Sequence, residues 1–98
     1  MRSLMRSLVI HESISTTEAK AKELRPLIEK LITRAKVDSV ANRRLVSARL
    51  GNDAGTTKKL FTTIAPRYKE RTGGYVRVVK RTKRGMSDAR RLAYIAFV

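Results

Sequence analysis

The sequence predicts an α+β fold: a helix, a strand, three helices and two further strands, with the helices packed on one face of a small mixed three-stranded sheet. Three observations carry that expectation. Apolar residues recur at three- and four-residue steps from Glu18 to Lys36, the period switches to two after Gly73-Gly74, and the segment Leu92 to Val98 is almost wholly apolar. Ninety-eight residues with 42% apolar content suit a single domain over residues 1–98 with one modest core.

The first element is an amphipathic helix over residues 2–11, with Leu4, Met5 and Leu8 on one face and Arg2, Ser3 and Arg6 elsewhere. Ser13 to Thr16, centred on Ile14, reads as a short strand. Ser15 and Glu18 have the spacing of a capping box, and Thr16 and Thr17 offer alternative N-cap oxygens for the next helix. That helix runs from about Glu18 to Lys36, where Ala21, Leu24, Ile28, Leu31, Ile32 and Ala35 form one apolar face while Lys22, Arg25, Glu29 and Arg34 point elsewhere. Pro26 removes a backbone hydrogen bond inside it, so a kink or a short first turn is expected there. Asp38 or Ser39 caps a third helix that reaches Leu50 and stops at Gly51, with Val37, Ala41, Leu45 and Ala48 as its buried stripe. Thr56 or Thr57 starts a fourth helix, carrying Leu60, Phe61 and Ile64, which Pro66 bends or ends. In the strand that follows, Tyr75, Arg77, Val79 and Arg81 take one side and Val76, Val78 and Lys80 the other. A polar cationic connection, Arg81 to Arg91, joins it to the terminal strand, giving a basic strand pair over about 74–98.

The charge balance narrows the partner. Against 23 Lys and Arg stand 8 Asp and Glu, for a net charge of +15 and a pI near 11.3. Two like charges about 10 Å apart in water repel by roughly 0.4 kcal/mol, and many uncompensated pairs add up even after salt screening. A polyanion relieves this, and each phosphate neutralised by Lys or Arg also releases condensed counterions. Nucleic acid is therefore the leading partner class, ahead of an anionic membrane surface. The chain has no cysteine and one histidine, which removes disulfide frameworks and zinc sites from consideration, and no cofactor is expected. No apolar run approaches the roughly 20 residues needed to cross a bilayer. The opening MRSLMRSLVIHES has a faint signal-peptide flavour, but its apolar block Leu8 to Ile10 is too short and no small-residue cleavage site follows.

The most informative stretch is Leu60 to Lys80, LFTTIAPRYKERTGGYVRVVK, a helix end, a turn and a strand that are continuously cationic. Ten cations lie between Arg67 and Arg91 against only Glu70 and Asp88, so the alternation of sign normal for a solvated face is missing. Arg67, Lys69, Arg71, Arg77, Lys80, Arg81, Lys83 and Arg84 are the candidate phosphate ligands here. Arg43 and Arg44, with Arg49, lie off the expected stripe of the third helix, and Arg2 and Arg6 on the first helix extend the set. Tyr68 and Tyr75 can either stack on unpaired bases or pack against the core. With no zinc finger, basic zipper or helix-turn-helix pattern, RNA is favoured over DNA. An enzyme is not expected. His11 and Glu12 are adjacent and so diverge on a helix, no nucleophile accompanies them, and Gly73-Gly74 lacks phosphate-loop spacing and reads as a turn.

Four stretches carry a family resemblance: LVIHESISTT from Leu8 to Thr17, AKAKELRPLIEKLITRAK from Ala19 to Lys36, NRRL from Asn42 to Leu45, and the Leu60 to Lys80 segment. Together they resemble the bacterial large-subunit ribosomal protein seventeen family, in the family's order and over most of the chain. The resemblance implies a structural constituent of the large ribosomal subunit that binds large-subunit, 23S-type ribosomal RNA on the solvent side, near the nascent-chain exit region, and supports subunit assembly and translation. It implies neighbouring large-subunit ribosomal proteins as secondary partners, no membrane, no small-molecule substrate, and a cytoplasmic ribosome or an organellar one. By this similarity Arg67, Lys69, Arg71, Arg77 and Lys80 match motif positions expected to face RNA, and Arg43 and Arg44 match the third-helix pair. The residues by themselves leave one alternative, a free nucleic-acid-binding regulator outside the ribosome. Two departures stand out. A basic, histidine-containing extension usual in the family ahead of the first helix is lacking from this sequence, and an acidic residue usual in the terminal strand is replaced by Ala96-Phe97-Val98.

Overall fold

The computed structural model describes residues 2–81 and 92–98, with Arg81 described by its backbone alone. The connection expected between the last two strands, with Lys83 and Arg84, lies outside the described residues. The elements follow the expected order: α1 (Arg2–His11), β1 (Ser13–Thr17), α2 (Glu18–Ala35), α3 (Val40–Arg49), α4 (Ala54–Lys59), β2 (Val76–Arg81) and β3 (Leu92–Phe97). A π-helical turn, Leu60–Ile64, and a 3-10 turn, Ala65–Tyr68, prolong α4.

The helices α2, α3 and α4 each begin on a side-chain oxygen that accepts an otherwise orphaned N–H. For α2 this oxygen is Thr17 Oγ1, which accepts from the Lys20 N–H at 3.3 Å. Ser39 Oγ caps α3 through the Asn42 N–H at 3.1 Å. The fourth helix is capped by Asp53, whose Oδ1 accepts from the Thr56 N–H at 3.1 Å, and not by Thr56 or Thr57 as expected; both threonines already lie inside the helix. Those N–H bonds hold the Asp53 carboxyl below its ordinary value. α3 ends on Gly51 as anticipated, with Gly51 and Asn52 both left-handed at φ of 73° and 61°. There the Asn52 N–H donates to the Ser47 carbonyl at 2.7 Å, closing the last turn.

Pro26 does not interrupt α2, which runs unbroken from Glu18 to Ala35 with Pro26 on its exposed side. Pro66 acts more strongly. The Ala65 N–H reaches back five residues to the Leu60 carbonyl, widening the helix, and past Pro66 the chain tightens to 3-10 geometry. This change of winding turns Leu60, Phe61, Ile64 and Tyr68 all into the core.

The sheet order is β1-β3-β2, and both ladders are antiparallel, where a mixed sheet was expected. The reason is topological: β1 and β2 point the same way, but β3 lies between them and runs opposite to each. Across the three strands Ile14, Ile95 and Val78 lie opposite one another and face α2, flanked by the buried Val76 and Ala93. Leu8 and Val9 of α1, Leu24, Ile28 and Ile32 of α2, and Ile64 complete a continuous core. Each such Leu or Ile taken fully out of water contributes about 1.5–3 kcal/mol, which makes this packing the main source of stability. The expected stripe of α3 is corrected. Val37, Ala41 and Ala48 are exposed and Leu45 is half-buried, whereas Val46 and Leu50 are the residues that enter the core. The short helix offers two apolar stripes at helical spacing, and its docking onto α2 and α4 selects between them.

One carboxylate fastens sheet to helix. Glu29 of α2 is half-buried, and its Oε1 accepts the N–H groups of Tyr75 at 3.0 Å and Val76 at 3.3 Å, at the start of β2. The left-handed Gly74, φ 67°, makes the approach possible.

Candidate nucleic-acid interface

The acidic side chains are mostly consumed by the fold. Glu29 and Asp53 hold backbone N–H groups, while Glu12, Glu18 and Asp38 each hold cations. What remains at the surface is mostly cationic, with Glu23 and Glu70 as exposed acids, and the cations gather in three places.

The first is a groove of about 850 Å³ between α1, α2, α3 and the turn before β2. Arg2, Lys30, Arg34 and Arg49 line it, with Thr72 and Gly73 at one end. Among these, Arg2 and Arg49 were singled out in the sequence, and Lys30 and Arg34 were not. All four were legible as charge but not as a cluster, because three separate helices bring them together. Arg6 sits nearby, close to the end of α3, where its guanidinium helps hold the Asp53 carboxyl down.

The second lies between α3 and α4, a groove of about 630 Å³ lined by Arg43, Arg44, Lys58 and Phe61 among others. Arg43 makes a two-point pair with Asp38, Nε to Oδ1 at 2.5 Å and Nη2 to Oδ2 at 2.8 Å, and its guanidinium lies over the Phe61 ring at 5.4 Å. The pair lowers the Asp38 pKa and raises that of Arg43. Arg44 is exposed and has no carboxylate partner among the described residues.

The third follows the end of the α4 extension into β2. Arg67 pairs with Glu12, which also takes Lys59 at 3.7 Å; these cations, Arg67 first, hold the Glu12 carboxyl below its ordinary value. Lys69 and Arg71 are exposed, with no ion pair among the described residues, and the Arg71 carbonyl accepts from Lys36 Nζ. The strand cations divide. Arg77 stands on the open face of the sheet, while Lys80 is on the helix side, where it meets Glu18 at 3.3 Å next to Lys22. Arg81 falls at the end of the same strand.

These pairs do not lock the cations away. Side chains of Arg43, Arg67 and Lys80 stay 54%, 42% and 67% exposed, and an exposed ion pair contributes only about 0–1 kcal/mol. A phosphate oxygen accepts the same guanidinium hydrogens as a carboxylate, so exchange of partner is inexpensive.

Both tyrosines considered for base stacking are core residues. Tyr68 is 2% exposed and donates its hydroxyl to the Val98 carbonyl at 2.7 Å; Tyr75 is 1% exposed, accepts from Lys36 Nζ at 2.7 Å, and packs 5.3 Å from Tyr68. Burial raises the Tyr68 pKa, and the Lys36 ammonium lowers that of Tyr75. The exposed aromatic of the strand pair is Tyr94, at 37%. Glu12, weighed beside His11 as an acid–base pair, is occupied by Arg67 and Lys59. Among the described residues there is no cluster of side chains able to hold a metal ion, and no helix is long and apolar enough to cross a membrane.

A small α+β scaffold most of whose acids serve the fold and whose cations face outward belongs to the class of strongly basic small proteins. Comparison with known proteins takes this further. The chain belongs to the Ribosomal protein L17 family, whose model matches residues 1–98. It is similar to the large ribosomal subunit protein bL17 of Sphingopyxis alaskensis, with 53% identity over 97 residues, covering 99% of this chain and 68% of that protein.

Proposed function

We propose that this chain is a structural constituent of the large ribosomal subunit, acting as one domain that binds large-subunit ribosomal RNA by neutralising phosphates where RNA segments meet. The observation that carries the reading is the division of charge. Carboxylates are spent on caps, on the Glu29 tie and on exposed pairs, so most of the +15 excess is left for an external polyanion. Arg43, Arg44, Arg67, Lys69, Arg71, Arg77 and Lys80 are the phosphate ligands in this reading, together with Arg2, Arg6, Arg81, Lys83 and Arg84. Neighbouring large-subunit proteins are secondary partners, and the ribosome is a bacterial, cytoplasmic one. The role is architectural, with no reaction to catalyse.

The test is a salt titration of binding to large-subunit ribosomal RNA. If roughly 6–10 phosphates are neutralised, affinity falls by about 10³–10⁵ between 50 and 200 mM salt. A flat response refutes the electrostatic mechanism. Co-sedimentation with large subunits at moderate salt, as opposed to a slowly sedimenting pool, separates a ribosomal constituent from a free regulator.

A further inference from the structure

The groove between α1, α2, α3 and the turn before β2 carries four cations that the fold does not use. Arg2, Lys30, Arg34 and Arg49 are exposed, and none of these side chains makes an ion pair among the described residues. Lys30 and Arg34 stand one turn apart on α2, where like charges repel. The one acid in the lining, Glu29, is engaged by the N–H groups of Tyr75 and Val76. Alongside the cations the lining is apolar: Leu27 and Leu45 are half-buried, Met5 and Leu31 buried.

We propose that this groove docks a protein partner through an acidic amphipathic segment, whose apolar side chains cover Leu27 and Leu45 while its carboxylates meet Arg2, Lys30, Arg34 and Arg49. The proposal goes beyond the RNA-binding reading, since of these cations only Arg2 is among the phosphate ligands named there. Charge and apolar area together choose the occupant. Four unopposed cations around one groove call for an anion. A sugar–phosphate backbone answers that charge but leaves the leucines half in water, and the lining gives a base no ring to stack on, because its one aromatic, Tyr75, is 1% exposed. A helix with apolar residues at three- and four-residue steps and Asp or Glu beside them satisfies both demands. Residues 82–91 of this chain, basic in sequence, have the wrong charge for the groove. The strand ends that bracket them, Arg81 and Leu92, pair beside Thr17, and about 18 Å of helix axis separates Glu18 from Lys30.

The experiment titrates labelled peptides of roughly 14 residues into the full chain and into two charge-matched variants. One peptide carries leucine along one helical face and glutamate elsewhere; the second has alanine for each leucine. Lys30→Glu with Arg34→Glu reverses two groove cations, and Lys20→Glu with Arg25→Glu reverses two exposed cations of the same helix outside the groove. All four positions are exposed on α2, where substitutions cost little stability. The groove variant binds the leucine peptide about 10- to 100-fold more weakly than the matched variant does. The alanine peptide binds the original chain about 10-fold more weakly than the leucine peptide. Equal loss in the two variants reduces the effect to net charge and overturns the groove. Equal affinity for the two peptides, or no binding of the leucine peptide by the original chain, overturns it as well. So does a groove variant that, against the matched one, loses affinity for large-subunit ribosomal RNA and not for the leucine peptide, which assigns the groove to RNA. The salt dependence of RNA binding tests the phosphate reading alone, so the two readings fail separately.

Discussion

The two faces of the sheet differ in both composition and exposure. On the helix side Ile14, Ile95 and Val78 meet α2 and are buried or half-buried; on the other, one residue along each strand, Ser15, Tyr94 and Val79 face outward. Valine and large apolar side chains appear on both. The pleat decides which of these side chains are buried against the helices and which turn outward, because successive side chains of a strand alternate between faces.

That contrast can be broken by substitution. The largest effect belongs to the helix side: Ile95→Ala empties a fully buried site and costs about 2–5 kcal/mol, read as a fall in the midpoint of denaturant unfolding. Next is Glu29→Ala. It removes the acceptor of two backbone N–H groups at the start of β2, for a loss of about 1–3 kcal/mol in the same measurement. A smaller effect is expected at the clasp between the end of α1 and the α4 extension. Glu12→Gln removes a pair whose two side chains are 38% and 42% exposed, so solvent screening limits the cost to about 0–1 kcal/mol. Because folding holds the Glu12 carboxyl below its ordinary value of 4.5, that contribution is complete above pH 4.5 and is lost as the pH falls through the lower, folded value. Thermal unfolding of the original chain and of the Gln variant should therefore differ at neutral pH and converge in acid. The smallest change is on the open face, where Val79→Ala should stay within about 0.5 kcal/mol. A loss as large as that of Ile95→Ala would show that the open face is structural after all.

Local signals account for much of what could be anticipated. The α2 stripe from Ala21 to Ala35 is buried as the period requires, the Gly51 stop closes with a left-handed residue, and β2 alternates from Val76 onward, with Val76 and Val78 inward and Arg77 and Val79 outward, whereas Tyr75, expected on the side of Arg77, precedes the strand and is buried in the core. What escaped was non-local. Nothing near Arg67 announces that Glu12, 55 residues away, will pair with it, nor does Lys80 point to Glu18. The grouping of Arg2, Lys30, Arg34 and Arg49 depends on three helices meeting. The two α3 stripes were equivalent by spacing, and only the approach of its neighbours buried Val46 in place of Ala41. The tyrosines show the same limit. Composition presents three tyrosines, but it takes the Lys36 and Val98 partners to make Tyr75 and Tyr68 internal and to leave Tyr94 as the outward ring.

The placement of β3 has a consequence for biosynthesis. It is translated after every other described element, yet it stands in the middle, and β1 and β2 have no ladder with each other. A nascent chain that has not yet delivered residues 92–97 can wind its helices but owns two lone strands with their hydrogen-bonding edges bare. Both ladders therefore wait for β3, and a chain that stops before Leu92 can form neither of them.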